Sequence, residues 1–404
     1  MENVIKPSLT EFIAEHIKDD LHRTILNKRK YISGTFSDEC FDTAVSNIYA
    51  RQNYWHKFPT YCQNINFNFG GKLVLEQASS EYTATYKANI IPQFARSLDL
   101  TGGLGIDSIS FAAKAESHTY CDVDAYCCER FRENAEMLQL NNISVLQESA
   151  EVALANFVHN GERFGIVYID PSRRNTQQRR ALLLKDMQPN VLLLQDALLQ
   201  VADTLMYKLS PLFDIRRAMG ELRSVREVHI VSINNECKEL LVVCSSVRNT
   251  SIKYVASNIN SATEVVETSE FPENAPDDDI AYSMPKNYIY EANSSLMKLG
   301  FWADISQKYG MSKLHPNSHL WTDDNYIDDF QGRKFVLQEV VKYNKKAVLA
   351  ALAGVNKANI TCRNFPHSVD VVRKKLQLGD GGDYYIFATT LISGQPAILI
   401  TKKV

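Results

Sequence analysis

A chain of 404 residues, at roughly 150 per domain, calls for two or three domains, and its 45% hydrophobic and 23% charged content excludes a disordered chain, a collagen and a coiled coil. No stretch approaches the roughly 18 consecutive apolar residues of a membrane span, and the polar start at Met1, Glu2 and Asn3 lacks a signal-peptide core, which points to the cytoplasm. The net charge of −3 hides an asymmetry: residues 331–404 hold 12 Lys and Arg against four Asp and Glu, a net of +8, on a body whose net is −11.

In chain order, Leu9, Phe12, Ile13, Ile17, Leu21, Ile25 and Leu26 fall at helical spacings, and a second helical pattern follows Ser37 and Asp38. The start is therefore helical. From about residue 95 short β-rich runs at 97–101, 118–123, 143–146, 165–170, 204–210, 227–232 and 240–245 alternate with helices, which predicts a mainly parallel sheet covered on both faces. Residues 271–279 mix prolines with acids and read as a linker. Beyond it comes a mixed segment over 288–321. A compact pattern then reads strand 335–341, helix 345–352, strand 358–363, helix 368–376 and strands 384–391 and 396–401. This last module carries the basic excess, which points to a polyanion, most simply nucleic acid, or else to a solvated basic face.

The run from Leu98 to Asp107 is the most informative. A strand ends in Asp99, Thr101 follows, Gly103 and Gly105 stand at alternate positions, and a helix begins after Asp107. Glycines let the backbone turn sharply and a ligand approach closely, and the carboxyl ends of strands are where open α/β sheets bind ligands. The next strand ends near Asp122 and Val123, which sets a carboxylate where it can accept both ribose hydroxyls. A dinucleotide fingerprint needs a third glycine, but Ser108 occupies that position. Asp99 would repel a phosphate and suit the ammonium of a methionine moiety. S-adenosylmethionine is thus the cofactor these residues suit.

At this point the sequence resembles the class I S-adenosylmethionine-dependent methyltransferases, whose first motif is an acidic residue followed by alternating glycines; Thr101 replaces the first glycine. The resemblance implies Asp122 for ribose, Val123 against adenine, Asp99, Thr101, Gly103, Gly105 and Asp107 around the cofactor, and an adenine-amine acceptor at Glu148 or Ser149, between which the residues do not decide.

The fourth strand ends in Asp170, Pro171, Ser172, Arg173 and Arg174. Proline stops the strand and lets Asp170 project over the cofactor's reacting end, where methyl acceptors dock in class I enzymes. Arg173 stands where amino-methyltransferases carry a base-stacking aromatic, which weakens a reading as exocyclic adenine methylation. Lys208, ending the fifth strand, should point at the same pocket, so Asp170, Arg173 and Lys208 are the candidate catalytic residues. Ser172 and Arg174 are candidate substrate contacts, and Arg179 and Arg180 extend the basic edge. Cys237 is a weak candidate nucleophile; the eight scattered cysteines, without CxxC pairs, read as reduced buried thiols. His315 and His319 share the spacing of a helical ligand pair but lack further ligands, and no metal is expected.

Together with residues 76–88, Asn235 to Leu240 and Tyr290 to Gly300, these motifs resemble a bacterial family of class I methyltransferases with a C-terminal THUMP-like domain. That resemblance implies an α/β protein with a Rossmann-like seven-stranded methyltransferase sheet. Its expected parts are a helical region at 1–70, the methyltransferase domain at 71–250, a strand and linker at 251–279, a ferredoxin-like module at 280–323 and a THUMP-like domain at 324–404. THUMP domains proper bind structured RNA, so the resemblance implies by analogy an RNA substrate, with tRNA or rRNA as candidates; its expected grip follows from the basic clusters that build the +8 balance, Lys342, Lys345 and Lys346 and then Arg373, Lys374 and Lys375. A small-molecule or protein methyltransferase, or an RNA-binding protein without turnover, are the alternatives.

Overall fold

The computed structural model describes residues 8–32, 37–92, 94–173, 183–246, 251–272 and 280–404. Arg174, Arg179, Arg180, the side chain of Arg173 and residues 273–279 of the acidic linker lie outside the described part. Two compact units are present, one of residues 1–227 with 240–250, the other of 228–239 with 251–404.

The first unit opens with seven helices: Leu9–His16, Leu21–Leu26, Lys28–Ile32, Asp38–Asn53, Pro59–Gln63, Lys72–Gln77 and Glu81–Ile90. Side-chain caps fix the starts of four of them: Ser8 and Glu11 form a reciprocal box, and Asp20, Ser37 and Ser80 each accept a backbone N–H of the first turn. Arg51 is buried, and its guanidinium donates to the carbonyls of Asn64, Ile65 and Phe67 at 2.8–3.0 Å, so one cation organises the loop after the fifth helix.

The strands that follow are β1 (Phe94–Asp99), β2 (Ala115–Asp122), β3 (Ile143–Gln147), β4 (Phe164–Ile169), the two-residue β5 (Ser172–Arg173) and β6 (Met187–Gln188), β7 (Ala202–Leu209), β8 (Val225–Ile233), β9 (Glu236–Ser245), β10 (Lys253–Ile259) and β11 (Val266–Phe271). Within the first unit the order is β3-β2-β1-β4-β7, all parallel, with residues 240–245 of β9 antiparallel to β7. The expected strands are therefore present to within a few residues. Two more than the seven expected, β10 and β11, occupy the stretch read as strand and linker. The chain winds outward from β1 through β2 to β3 and then back to β4 on the other side. That reversal opens a crevice at the carboxyl ends of β1 and β4.

In the second unit β10 and β11 form an antiparallel pair, and a separate sheet takes the order β13-β14-β12-β15-β18-β17-β16. Its strands are β12 (Tyr288–Ala292), β13 (Ser312–Lys313), β14 (Trp321–Asp323), β15 (Gly332–Lys342), β16 (Asn359–Arg363), β17 (Tyr384–Thr390) and β18 (Pro396–Lys403). Because β12 pairs with β15 from Tyr288 against Val336 to Ala292 against Gly332, the segments read as ferredoxin-like and THUMP-like share one sheet. Buried Glu291 of β12 receives the guanidinium groups of Arg333 and Arg363, tying β12 to β15 and β16. Helices Lys345–Ala351 and Val369–Leu376 pack Val348, Leu352, Val372 and Leu376 on Ile386, Ile398 and Ile400. Among the described residues no helix is long and apolar enough to cross a membrane.

Candidate active site

Beyond β1 the chain turns through the glycine loop into the helix Ile106–Ala112. Gly105 has φ +84°, a left-handed conformation, and a Cβ there would lie 2.2 Å from the Phe131 ring; one at Gly102 would lie 2.1 Å from the Tyr120 ring. The loop thus lies flat on a stacked aromatic pair, the Tyr120 and Phe131 centroids being 4.0 Å apart. Gly103 differs. A Cβ there would meet nothing nearer than the Thr101 carbonyl at 3.9 Å, so the loop is open at that point to an approaching ligand.

Acidic side chains hold this shape. Asp99 is buried and accepts the Thr101 N–H at 2.9 Å and the Ser108 hydroxyl at 2.7 Å. Burial pushes its carboxyl up to about 7, against the pull of those two hydrogen bonds. Asp122 accepts the Gly103 N–H at 2.7 Å and the Asp124 N–H at 2.8 Å, joining the tips of β1 and β2. Val123, beside it, is 71% exposed, an apolar surface suited to the face of an adenine. Ser149 caps the helix Ala150–His159 by accepting the Val152 N–H, whereas the Glu148 carboxylate is only half-buried and meets Asn156 at 3.4 Å. The open glycine, the exposed valine and the acids at both strand tips fit the charge and shape of S-adenosylmethionine, which when bound supplies an electrophilic methyl group.

The tip of β4 comes to the same loop, since the Asp170 N–H donates to Thr101 Oγ1 at 2.7 Å. Lys208 of β7 donates to the Asp170 carboxylate, so the two candidate catalytic residues form a pair, with the Asp170 side chain 31% exposed and that of Lys208 12%. Burial raises the Asp170 pKa and Lys208 opposes the rise. Pro171 is buried and Ser172 exposed. Asp107 is turned inward under the loop, paired with Lys87 at 3.0 Å and accepting from Ser79 at 2.7 Å and Tyr168 at 3.0 Å. Lys87, Ser79 and Tyr168 are the members of this cluster that sequence reasoning missed as site residues.

Other candidates take structural places. Cys237 is partly buried, and burial raises its thiol pKa, the reverse of an activated nucleophile. All eight cysteines are free; Cys40 is exposed and Cys237 and Cys362 are half-buried, so not every thiol is in the core. His315 bonds Asn364 and His319 stacks on Trp302 at 4.2 Å, and among the described residues no cluster of His, Cys, Asp or Glu could hold a metal.

In the C-terminal module, Lys345 donates to Gln377, which ends the helix Val369–Leu376, and Lys375 lies 4.0 Å above the Tyr343 ring. The lysines around the start of the helix Lys345–Ala351 (Lys342, Lys345 and Lys346) and those ending the helix Val369–Leu376 (Lys374 and Lys375) form two clusters, which these two contacts bring together; Lys374 is exposed. Arg373 departs from the expected phosphate grip. Its guanidinium donates to the carbonyls of Ala358 and Gly379 and to Asp380 at 2.6–3.2 Å, locking the turn after its helix.

Three family models match the chain: one described as THUMP domain-like over residues 332–403, one as a ferredoxin-like domain over 288–330, and one as conserved hypothetical protein 95 over 86–217. Two proteins of Mycobacterium tuberculosis, from strains CDC 1551 and H37Rv, each described as an uncharacterized S-adenosylmethionine-dependent methyltransferase, are 21% identical over 256 residues, 63% of this chain and 68% of theirs. A solved structure from Porphyromonas gingivalis W83, provisionally assigned as a methyltransferase, is 27% identical and superposes over 98% of this chain and 97% of its own with a TM-score of 0.84. With these likenesses beside the glycine loop and its acids, the chain is an S-adenosylmethionine-dependent methyltransferase whose C-terminal residues match a THUMP domain-like model.

Proposed function

We propose that the protein methylates a base of RNA, holding S-adenosylmethionine on the loop from Asp99 to Gly105 and RNA on the lysine face of its C-terminal module. The meeting of the two lysine clusters, through Lys345 on Gln377 and Lys375 on Tyr343, carries the RNA reading. Such a face contacts phosphates and says little about sequence. Its resemblance to THUMP domains, which bind structured RNA, supports the same partner.

In this reading Asp99 faces the cofactor's ammonium, Asp122 the ribose and Val123 and Glu148 the adenine, while Thr101, Gly103 and Gly105 shape the cradle. Ser149 is left to its helix cap. Asp170, held by Lys208, orients the acceptor by accepting its hydrogen, and Ser172 continues the acceptor side.

Mass spectrometry of total RNA nucleosides from deletion and parent strains tests the proposal. One methylated nucleoside should fall in the deletion strain and return on complementation. An unchanged set, together with no salt-dependent RNA affinity of the purified chain, would instead favour a small-molecule or protein acceptor.

A further inference from the structure

Lys87 has no solvent exposure at all. A lysine is placed so only where a partner compensates its charge. The compensation comes from Asp107, 3.0 Å away, with the Ser79 hydroxyl bridging the two: it receives from Lys87 at 2.9 Å and donates to Asp107 at 2.7 Å. Tyr168, two residues before Asp170, donates to the same carboxylate at 3.0 Å. The cluster joins the helix Glu81–Ile90, the helix after the glycine loop and strand β4, immediately beneath the acceptor edge.

Beside it stands a second pair, Lys208 with Asp170. Lys208 also lies within the electrostatic reach of Asp107, where it and Lys87 together hold that carboxyl below the ordinary range against the push of burial. Two carboxylates thus have claims on Lys208. Were Asp107 unpaired, Lys208 would be divided between them, and Asp170 would lose its orienting partner.

We propose that Lys87 is a positioning residue of the acceptor edge: it neutralises Asp107 and so keeps Lys208 for Asp170. The inference rests on the reading of Asp170 as the acceptor-side residue, but the coupling it predicts can be read without any substrate. Among the described residues the charged groups facing Asp170 are Lys208 from β7, Asp107 from the helix Ile106–Ala112 and Lys87 from the helix Glu81–Ile90. Removing Lys87 leaves two carboxylates sharing one cation, and such a pair binds its first proton at a raised pH.

The test is a carboxyl-carbon NMR titration of the full chain labelled with 13C-aspartate, with Asp170→Asn and Asp107→Asn assigning the two signals. In Lys87→Met the pair should take up its first proton about one pH unit higher than in the parent. In Lys87→Met/Asp107→Asn, which removes both charges, the Asp170 midpoint should return to the parent value. A folded Lys87→Met protein with an unmoved titration overturns the proposal. So does a double variant whose Asp170 midpoint stays raised, because the loss of the Lys87 charge acting on Asp170 itself, and not the release of Asp107, would then account for the shift; this arm decides the matter even if the single variant fails to fold. A double variant that does not fold overturns it as well, since removing a whole buried ion pair leaves no orphan charge. If the titration behaves as expected while RNA nucleosides are unchanged in the deletion strain, the coupling stands and only the RNA reading falls.

Discussion

In the methyltransferase unit the acids of the site are each held by specific partners: Asp99 by Ser108 and Thr101, Asp107 by Lys87, Ser79 and Tyr168, Asp170 by Lys208. In the C-terminal module Lys342, Lys346 and Lys374 stand exposed, and their effect is collective. The contrast follows from dielectric. A buried pair interacts strongly and is fixed in geometry, so losing one partner strands the other at a high cost. An exposed lysine is screened within a Debye length of about 8–10 Å and contributes through number. Substitutions in the first unit should therefore act steeply and almost independently of salt, those in the second gently and in proportion to it.

The steepest expected effect is at Asp170. Asp170→Ala removes the acceptor-side carboxylate and strands Lys208, but leaves the bonds of Asp99 and Asp122 intact. Methyl incorporation into RNA from the deletion strain should fall at least about 100-fold, with cofactor affinity by calorimetry unchanged, the pattern of an interaction made only in the transition state. A parallel loss of affinity would move Asp170 into the cofactor shell. Next comes Asp122→Ala. Hydrogen bonds to a charged group are worth about 1.5–3 kcal/mol, so cofactor binding should weaken roughly 10- to 150-fold. Unchanged affinity would remove Asp122 from the ribose site.

The places of these two residues at strand tips were legible in the sequence, because each ends a strand signal, Asp122 on the strand after the glycine loop and Asp170 directly before Pro171. Lys87 was not: Ser79, Asp107 and Tyr168 come together with it only through the packing of helix on sheet. Arg373 fails for the same reason in reverse. In sequence it is one of three adjacent bases, and only folding brings Ala358, Gly379 and Asp380 to it. The union of the two C-terminal segments in one sheet was hidden likewise, since β12 and β15 pair across about 40 intervening residues and strand pairing leaves no local signal.

Asp99 should show the cost of a buried acid. Its carboxyl, raised to about 7 from an ordinary 3.8, binds a proton in the folded chain that the unfolded chain has already released across that window. Stability therefore declines as pH rises from about 4 to 7 and stays reduced above it. Asp99→Asn removes the ionisation, so Tm should rise by a few degrees at pH 8 and hardly at all at pH 5, while cofactor affinity falls if Asp99 meets the ammonium. An equal change in Tm at both pH values would mean that Asp99 is ionised in the folded chain throughout.

The finest contrast lies within one helix, between neighbours that the sequence makes alike. Arg373 keeps only 22% of its side chain exposed and gives two hydrogen bonds to the turn that follows and one to the Ala358 carbonyl before β16, so Arg373→Gln should lower stability by about 1–2 kcal/mol, seen as a lower urea midpoint. Lys374 is exposed, and Lys374→Gln should leave that midpoint in place. In RNA binding the roles exchange. If Lys374 meets a phosphate, its loss lowers the slope of log affinity against log salt by about 0.7–0.9, while Arg373→Gln, measured well below its unfolding transition, leaves the slope unchanged. A slope that falls for Arg373→Gln and not for Lys374→Gln would reverse the assignment: the bonds that lock the turn would then open on RNA, and the phosphate grip would lie with the arginine.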